Sequence, residues 1–599
     1  MNDFEYGDLR FIFEQAIPWE KIREARGEEE DYTQEYLMTL DNGANFSKKE
    51  VAPRAGDVDD RECCLASDGN GGKSVQLPKG MMENLEGLKG MGAFSGLTFP
   101  EEVGGLNFPL TVFFGLGELF SMGDSSLGLT PMLQEGVGQV LIEFAGRKVV
   151  EDYLPKLMSG ERICSMGLTE PGAGSDLASM KTLARPVNGE GSGSVYLLNG
   201  TKTFITNGFG DVLALAGTEE GISMFLVMAE DKEVSRIEKK LGIRGSPTCE
   251  LLFENSPGIL IGEPGMGLVP NMLKLMHFAR LGVASQALGI GQRAHTLAKR
   301  YATYDRVQFG VPIAEHAPVR QILFENEIEL QATRALTYLA CQSFDLKEAT
   351  RKKAGNLDPE GSPNPGIRKD LTKHTRLVDL LIPLCKYDAA ELCNRVTYSS
   401  LQVFGGYGFT REYPMERLYR DARITSIYEG TSQIQLREVF NEAYYLEKIG
   451  LMNQFKLGDG ERFVETERNR LFVETLFDEQ EEKILSMEGS ESSTQGLLSG
   501  IREMRDCLQV SREELFLQEQ GRSKEAARKY HGLYYKDYVD LLASILKAYL
   551  LTGQGLWASH KQRVARAYVE RSILAAEHVK GRIKRGLDDL ITDDYDAIM

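Results

Sequence analysis

The stretch IYEGTSQIQ at residues 427–435 decides how the rest of the chain is interpreted. It places one carboxylate, Glu429, beside a glycine and just before a polar helix start, in an apolar and aromatic neighbourhood. Gly430 has no Cβ, so the polar head of a ligand can approach the backbone there. Ser432 and Gln435 have the spacing of a capping box, which fixes the following helix. Because its apolar neighbours keep water away from Glu429, the sequence predicts a general base at this position.

A glutamate before a helix is more often a surface residue that interacts with the helix dipole, so other parts of the chain must support this interpretation. Upstream lies QVFGGYGF at residues 402–409, where three glycines in four residues let backbone amides approach a phosphate. A second block consists of MGLTEPGAGSD at residues 166–176 and LNGTKTFITNG at residues 198–208. A third begins with ARLG at residues 279–282 and leads to DRVQFG at residues 305–310.

Together with Glu429, these ordered blocks resemble the signature of the acyl-CoA dehydrogenase family, whose members oxidise acyl-CoA thioesters with FAD. The resemblance implies a fold that is mainly α with a central small β domain. Its helical, β-barrel and helical-bundle domains would follow in that order, with an additional C-terminal helical domain. The extra length resembles the longer branch of the family, which includes methylthiopropionyl-CoA dehydrogenases.

Residue patterns predict the limits of four domains. Apolar residues at helical spacing predict an N-terminal helical domain over residues 1–162. Short runs rich in Val, Ile, Phe and Thr predict a middle β domain over residues 163–268. Helical periodicity returns over residues 269–446, in a C-terminal bundle that carries Glu429. A charged, helix-prone region over residues 447–599 is predicted to form the additional helical domain.

Three segments interrupt the pattern. Gly, Pro, Asn and charge cluster at residues 351–369, which predicts a loop or insertion, and residues 488–499 form a Gly/Ser-rich break. The loop at residues 68–74 superficially suggests a phosphate-binding P-loop. However, Ser67 stands where the first glycine is required and no apolar strand is expected before it, so we predict a polar turn.

The last helix combines an apolar face with many basic side chains. The apolar face would contain Val564, Tyr568, Ala575, Val579 and Ile583, with Lys561, Arg563, Arg566, Lys580, Arg582, Lys584 and Arg585 around it. Such a helix can lie on a membrane. We expect the apolar face to pack on the core or on another subunit instead, because the whole chain carries a net charge of −19. The same charge argues against nucleic acid as a partner.

Cysteine usage and the start of the chain predict the compartment. The eight cysteines show no Cys-x-x-Cys pair and no His-rich spacing, which predicts reduced thiols and no metal site. The acidic residues 1–5 lack the basic region of a signal peptide, and no apolar run reaches the length of a membrane span. We therefore predict a cytoplasmic protein.

The family resemblance implies the chemistry. Glu429 would remove the α-proton while the β-hydride passes to the flavin, and the product would be a trans-2-enoyl-CoA. The thioester carbonyl would accept hydrogen bonds from the Glu429 backbone N–H and a flavin ribityl hydroxyl, which stabilise the developing enolate oxygen. Some members carry the base at the position of Ala279, where alanine cannot serve, so Glu429 has no evident competitor.

The resemblance also assigns binding residues. Those expected to contact FAD are Met166, Leu168, Thr169, Ser175, Phe204, Thr206, Arg306, Gln308, Gln402, Gly405, Gly406, Thr431 and Gln433. Those expected to contact the acyl-CoA are Ser175, His277, Arg280 and Gly430. Taken singly, His277 and Phe204 would be read as core residues. Two positions depart from the family pattern: Phe204 stands where many members have Trp, and Asn441 stands where an Arg often meets the CoA.

The resemblance implies partners as well. Electrons would leave through an electron-transferring flavoprotein, and the chain would form at least a homodimer, because part of the FAD set comes from the neighbouring subunit in this family. One alternative is an acyl-CoA oxidase that uses oxygen, although the Thr431-Ser432-Gln433 continuation favours a dehydrogenase. The other is a non-enzymatic DNA-protective or assembly factor, against which the intact Glu429 and the acidic charge argue. The sequence does not identify the acyl group.

Overall fold

The structure is a computed structural model that describes residues 4–67, 73–188, 193–356, 365–445, 472–487, 492–519 and 522–586. It is mainly helical with one small β domain and further C-terminal helices, which confirms the predicted fold class. The chain forms two compact units. The first unit contains Met1–Tyr6, Tyr32–Leu323 and Cys393–Thr431, and the second contains Gly7–Asp31, Phe324–Leu392 and Ser432–Met599. The predicted four-domain division remains a prediction.

Helices dominate the chain before the β domain, as the apolar spacing predicted. Their bounds are α1 Gly7–Phe11, α2 Trp19–Arg26, α3 Thr33–Phe46, α4 Ala52–Arg61, α5 Lys79–Gly90, α6 Leu110–Gly123, α7 Leu129–Phe144 and α8 Arg147–Ser159. Helix α6 is buried along nearly its whole length, because its residues are almost all apolar or small. One face of α7 and α8 packs on the β domain through a shared apolar cluster that includes Val137 and Leu154.

A short hairpin interrupts these helices. Strand β1 (Cys64–Ser67) pairs antiparallel with β2 (Lys73–Gln76), and the loop between them lies outside the described residues. The expectation that no apolar strand precedes this loop was therefore wrong. The strand escaped prediction because it is only four residues long and only partly buried.

The middle β domain is a closed barrel. Its strands are β3 Cys164–Gly167, β4 Leu183–Asn188, β5 Val195–Thr206, β6 Asp211–Thr218, β7 Gly221–Val227, β8 Glu233–Ile237 and β9 Thr248–Ile261. Successive pairings β6–β4–β5–β9–β7–β6 close the ring, while β3 adds parallel to β6 and β8 adds to β9. Alternating inward residues such as Tyr196, Leu198 and Phe225 fill the interior.

The segment after the barrel is helical again. Its elements are α9 Leu273–Arg300, a two-residue hairpin of β10 Val307–Gln308 and β11 Val311–Pro312, α10 Ala317–Asn356, α11 Pro365–Phe404, α12 Gly406–Phe409, α13 Met415–Ala422 and α14 Ser432–Phe440. The predicted loop at residues 351–369 was too long. Helix α10 continues to Asn356 and α11 begins at Pro365, where proline suits the first helical turn; residues 357–364 lie outside the described part.

The C-terminal helices belong to the second unit. They are α15 Phe472–Ser486, α16 Ser492–Glu519, α17 Lys524–Gly532, α18 Tyr535–Gly555 and α19 Ser559–Arg585. The predicted break at residues 488–499 was too long, because α16 already begins at Ser492; residues 488–491 lie outside the described part.

Helix α19 is the predicted basic amphipathic helix, and it packs on α16 and α18. Its buried residues include Lys561, Tyr568 and Ile583, whereas Ala575 is exposed, so the apolar face is rotated from the predicted one. Lys561, predicted among the basic residues around that face, is buried instead, and its ammonium donates to Asp8 and Gln331. Among the described residues, no helix combines the length and apolarity that a membrane crossing requires.

Candidate active site

Glu429 sits in a strained turn between two helical segments of the chain. A short 3-10 helix, Arg423–Ser426, precedes it, and α14 begins at Ser432. The φ angle of Glu429 is 54° and that of Gly430 is 91°. A left-handed conformation is costly for a residue with a Cβ, and it is commonly retained where a side chain must be aimed. The turn therefore holds the carboxylate at a defined place in front of α14.

Tyr428 ties this turn to the central helix α9. Its hydroxyl donates to Oε1 of Gln286, and Nε2 of Gln286 donates to the backbone oxygen of Ser125 at 2.8 Å. Burial and, next, the nearby Glu429 carboxylate raise the pKa of Tyr428, so the phenol stays protonated and keeps donating. Two consecutive hydrogen bonds, from Tyr428 to Gln286 and from Gln286 to Ser125, thus hold the backbone beside Glu429.

A narrow apolar pocket lies along the same helix. It encloses about 20 Å³ and includes Gln286 in its wall, which places it beside the Tyr428 contact. The remaining lining comes from α6, α7, α9 and the connection between the first two: Phe113, Phe114, Gly117, Phe120, Ser121, Gly128, Leu129, Pro131, Met132 and Gly282. Met132 packs so closely on Gly282 that a Cβ there would lie 2.1 Å from its sulfur. The pocket suits a small apolar group.

Two of the four residues predicted to contact the acyl-CoA, His277 and Arg280, lie on α9 shortly before the pocket residue Gly282. Both are buried, with Arg280 only 2% exposed, and so is Ala279 between them. Gly430 follows Glu429 in the turn and is partly exposed. Ala279 has no titratable group, so His277 and Arg280 are the residues of this turn, 277–280, that can donate a hydrogen bond or a proton from the side chain.

The TEPGAGSD loop that resembles an FAD-binding segment is rigidly built. Glu170 and Ala173 exchange two backbone hydrogen bonds of 3.0 Å around Pro171 and Gly172, whose φ is 88°. Proline followed by a left-handed glycine is the sequence of a type II turn. Met166 and Leu168 are buried at the root of the loop, Thr169 is half-buried, and Ser175 is exposed at its far end.

A buried ion pair joins this loop to strand β5. Lys202 Nζ donates to Glu170 Oε1 at 2.7 Å and to the Leu168 backbone oxygen at 3.1 Å. Burial lowers the pKa of Lys202. Burial also opposes ionisation of Glu170, but hydrogen bonds from Lys202, Thr182 and Lys181 hold the pKa of Glu170 below its ordinary value.

Phe204 is displayed at the end of β5 rather than buried. The pairing of β5 with β9 shifts register between Lys202 and Ile205, and Phe204 has a φ of 61°. Its ring is 63% exposed, which rules out the core interpretation of this residue within the single chain. Thr206, two residues on, is half-buried. A rigid, exposed ring beside a polar loop is suited to stacking on a planar ligand.

Four other predicted FAD residues lie around a separate open cavity of about 520 Å³. Arg306, Gln308, Gly405 and Gly406 all line it. A Cβ added at Gly405 or Gly406 would meet no atom within 4 Å, so a ligand can reach the backbone there. The Arg306 guanidinium lies 5.7 Å from the Tyr407 ring centroid. A guanidinium, exposed glycine backbone and an aromatic wall are the groups that hold a pyrophosphate and its nucleotide, so these residues fit FAD.

Three predicted FAD residues stand outside both groups of neighbours. Gln402 is exposed near the end of α11, three residues before Gly405. Thr431 follows Gly430 at the end of the Glu429 turn, and Gln433 is an exposed residue of α14 in the second unit. Asn441, which stands where an Arg often meets the CoA in the family, also belongs to the second unit.

Several residues escaped prediction. The cavity wall contains Tyr301, whose ring stacks on Phe404 at 4.2 Å between centroids, and neither had a role in the sequence interpretation. Glu170 belongs to the motif at residues 166–176 and Lys202 to the one at residues 198–208, but their pairing depends on a loop that folds back on a strand. Gln286 lies six residues after Arg280, which offers no signal by itself.

Three family profiles match the chain in sequence order. They are described as the N-terminal, middle and C-terminal domains of acyl-CoA dehydrogenase, and they match residues 33–161, 165–256, and 267–357 with 369–443, respectively. The mitochondrial short-chain specific acyl-CoA dehydrogenase of Homo sapiens is 31% identical over 67% of this chain and 88% of its own length. The 3-methylmercaptopropionyl-CoA dehydrogenase of Ruegeria pomeroyi is 30% identical over 72% of this chain and 74% of its own length.

One solved structure shows how far the likeness in fold extends. An acyl-CoA dehydrogenase from Bacillus anthracis, complexed with FAD, aligns with a TM-score of 0.73 at 22% identity. The alignment covers 93% of this chain and 89% of that chain, so it includes much of the C-terminal helical region.

Proposed function

Because the chain belongs to the acyl-CoA dehydrogenase family, we propose that Glu429 removes the α-proton of an acyl-CoA thioester and that the product is a trans-2-enoyl-CoA. The protein is an FAD-dependent oxidoreductase that acts on acyl-CoA. Bound FAD supplies the acceptor for the β-hydride. The observation that carries the assignment of the base is the left-handed turn at Glu429, held to α9 through Tyr428 and Gln286.

The proposed roles follow from the geometry of the first unit. The strained turn fixes the Glu429 carboxylate, which lowers the cost of bringing it to the α-carbon. Tyr428 stays protonated, so no second ionised group next to the base repels the carboxylate. The pocket beside Gln286 has room for a group of about methyl size, so it would take no more than the terminal apolar group of a short acyl chain. His277 and Arg280 would meet the acyl-CoA on the same helix.

The proposed cofactor site divides into two parts. The loop from Met166 to Ser175 and the Phe204 ring would hold the flavin. The cavity around Arg306 and Gly405 would hold a pyrophosphate, and we propose that it serves the FAD of a second copy of this chain. We also propose that the electrons leave through an electron-transferring flavoprotein, as the family resemblance implies.

Replacing Glu429 tests the assignment of the base. Glu429→Gln keeps the size of the side chain but cannot accept the proton, so FAD and acyl-CoA should still bind while flavin reduction slows by at least about two orders of magnitude. Glu429→Asp should give an intermediate rate, because its carboxylate survives about one methylene too far away. The measurement is anaerobic rapid-mixing absorbance of the flavin with a series of acyl-CoAs.

The matched control is Glu254→Gln, which removes an exposed carboxylate on β9 and should leave flavin reduction unchanged. Near-normal bleaching by Glu429→Gln would show that another residue is the base. Rapid reoxidation of the reduced wild-type enzyme by oxygen, without need of an electron-transferring flavoprotein, would favour the oxidase alternative.

A further inference from the structure

The Lys202 side chain crosses from strand β5 into the backbone of the TEPGAGSD loop. It is fully buried, and its ammonium donates to the Leu168 backbone oxygen as well as to the Glu170 carboxylate. A buried ammonium loses its hydration, so it is stable only if such partners replace the water. The partners here are both in the loop. Lys202 therefore favours one loop conformation, the one that brings Leu168 and Glu170 to its ammonium.

Glu170 extends this constraint to the other side of the loop. Its Oε2 accepts from the Lys181 backbone N–H at 2.6 Å, and its Oε1 accepts from the Thr182 backbone N–H at 3.1 Å. The tight turn to Ala173 begins at the same residue. One carboxylate thus connects the start of the loop, its turn and the chain that leaves it.

The backbone next to Lys202 carries the aromatic ring of the site. The Thr203 N–H donates to the Thr169 backbone oxygen at 2.9 Å, which extends the strand onto the loop. Phe204 follows directly, in its left-handed conformation and with its ring exposed. The loop and the ring are therefore set relative to each other within three residues, by one backbone hydrogen bond and one buried ion pair.

We propose that the Lys202–Glu170 ion pair is a positioning device for the flavin: it locks the Met166–Ser175 loop against β5 so that its backbone and Phe204 form one preorganised cradle. The proposal rests on the assignment of FAD to this loop. Neither side chain touches the reacting atoms. Loss of the pair leaves the loop in several conformations, and the apparent affinity for FAD falls with the fraction that is competent to bind.

The test is Lys202→Met in the full-length protein. Methionine keeps much of the stem volume but removes the ammonium, so we expect the FAD dissociation constant to rise by at least about tenfold and the visible flavin band to move towards that of free FAD. Amide hydrogen exchange over residues 166–176 should accelerate in the apoprotein. Glu170→Gln, which preserves the shape of the carboxyl group, should produce the same three changes.

The control is Arg162→Met, which breaks another ion pair of the same barrel, to Asp211 and Glu230, without touching the loop. It should keep the wild-type FAD affinity and flavin spectrum. Wild-type affinity and spectrum in both Lys202→Met and Glu170→Gln would overturn the proposal, and so would an equal loss of affinity in Arg162→Met. If the wild-type protein itself binds no FAD, the assignment of the cofactor to this loop fails instead.

Discussion

At the scale of single residues, the site contains residues whose backbone has a conformation that is unfavourable for any residue with a Cβ. Glu429 and Phe204 both have positive φ angles, which a Cβ disfavours by about 1–2 kcal/mol each. The residue before each of them is tied to the rest of the fold by a hydrogen bond, which supports the strained backbone. For Glu429 the neighbour is Tyr428, and for Phe204 it is Thr203.

Tyr428→Phe should therefore separate positioning from chemistry. Loss of the hydroxyl leaves the Gln286 oxygen without this donor in a partly buried site, which costs about 1–3 kcal/mol of stability. We expect FAD to remain bound while flavin reduction slows by roughly tenfold, because Glu429 loses its support on one side. Rapid-mixing absorbance measures the rate. Tyr398→Phe, which alters an exposed tyrosine, should match the wild type; an unchanged rate in Tyr428→Phe would show that the contact does not position the base.

At the scale of elements, α13 is joined to the loop before β9 by a buried acid. Oδ1 of Asp421 accepts from the Ile243 backbone N–H at 2.6 Å. Burial raises the pKa of Asp421 to about 6, although Arg417 and the Ile243 hydrogen bond oppose the shift. The folded protein therefore binds this proton more tightly than the unfolded chain, whose aspartate pKa is about 3.9. The contribution of Asp421 to the free energy of unfolding is therefore fully present below about pH 4, and it is lost as pH rises through about 6.

Asp421→Asn should remove this dependence on pH. The amide oxygen can still accept from Ile243, but the amide does not ionise. The variant's free energy of unfolding should therefore rise relative to that of the wild type as pH rises from about 4.5 to 7.5. The gain should be about 2 kcal/mol in order of magnitude, because the whole pKa difference of about two units is worth about 1.4 kcal/mol per unit and part of it is already lost at pH 4.5. Urea or thermal unfolding at both pH values measures it. Asp152→Asn, at an exposed pair with Lys148, should show no such trend; parallel curves for Asp421→Asn and the wild type would refute the prediction.

The elements also show what sequence patterns convey. The barrel strands and α9 were predictable, because their apolar residues repeat at strand or helix spacing over long runs. Strand β1, the end of α10 and the start of α16 were not predictable, because the residue pattern of a short or polar segment does not distinguish regular structure from a loop. At the site, motif positions anticipated the cavity residues Arg306 and Gly405. The pairings of Lys202 with Glu170 and of Tyr428 with Gln286 join residues 32 and 142 positions apart, and only the folded chain brings them together.

At the scale of the whole molecule, the C-terminal helices complete the core of the second unit. Lys547 on α18 donates to both oxygens of Asp388 on α11, at 2.9 and 3.1 Å. Thr333 on α10 donates to the same carboxylate at 2.7 Å. The Phe440 ring on α14 packs on Tyr538 of α18. Removal of residues after about 446 would expose these groups, so we expect such a truncation to lose solubility.

A point substitution tests this role more sharply. Asp388→Asn leaves the buried Lys547 with Glu329 at 3.6 Å as a carboxylate neighbour, and breaking a buried pair in this way costs about 3–5 kcal/mol. Chemical denaturation followed by circular dichroism should show the loss. The double variant Lys547→Met with Asp388→Leu should recover most of the stability, since no charge stays buried. If Asp388→Asn is as stable as the wild type, the pair does not join these helices.

Two exposed phenylalanine rings on the first unit predict a surface that meets a second copy of the chain. Phe309 stands at the tip of the β10–β11 hairpin, 93% exposed, with a φ of 52°, and Phe409 is 83% exposed at the end of α12. A strained turn that holds a large ring in water is explained if the ring enters a partner, and both rings follow segments that line the Arg306 cavity.

Phe309→Ser with Phe409→Ser should therefore weaken self-association by at least about tenfold, as measured by analytical ultracentrifugation, and should weaken FAD binding in parallel. Leu183→Ser, at an exposed apolar residue of the barrel, is the control and should do neither. A double variant that remains an oligomer and keeps its FAD would show that this surface does not meet a second copy.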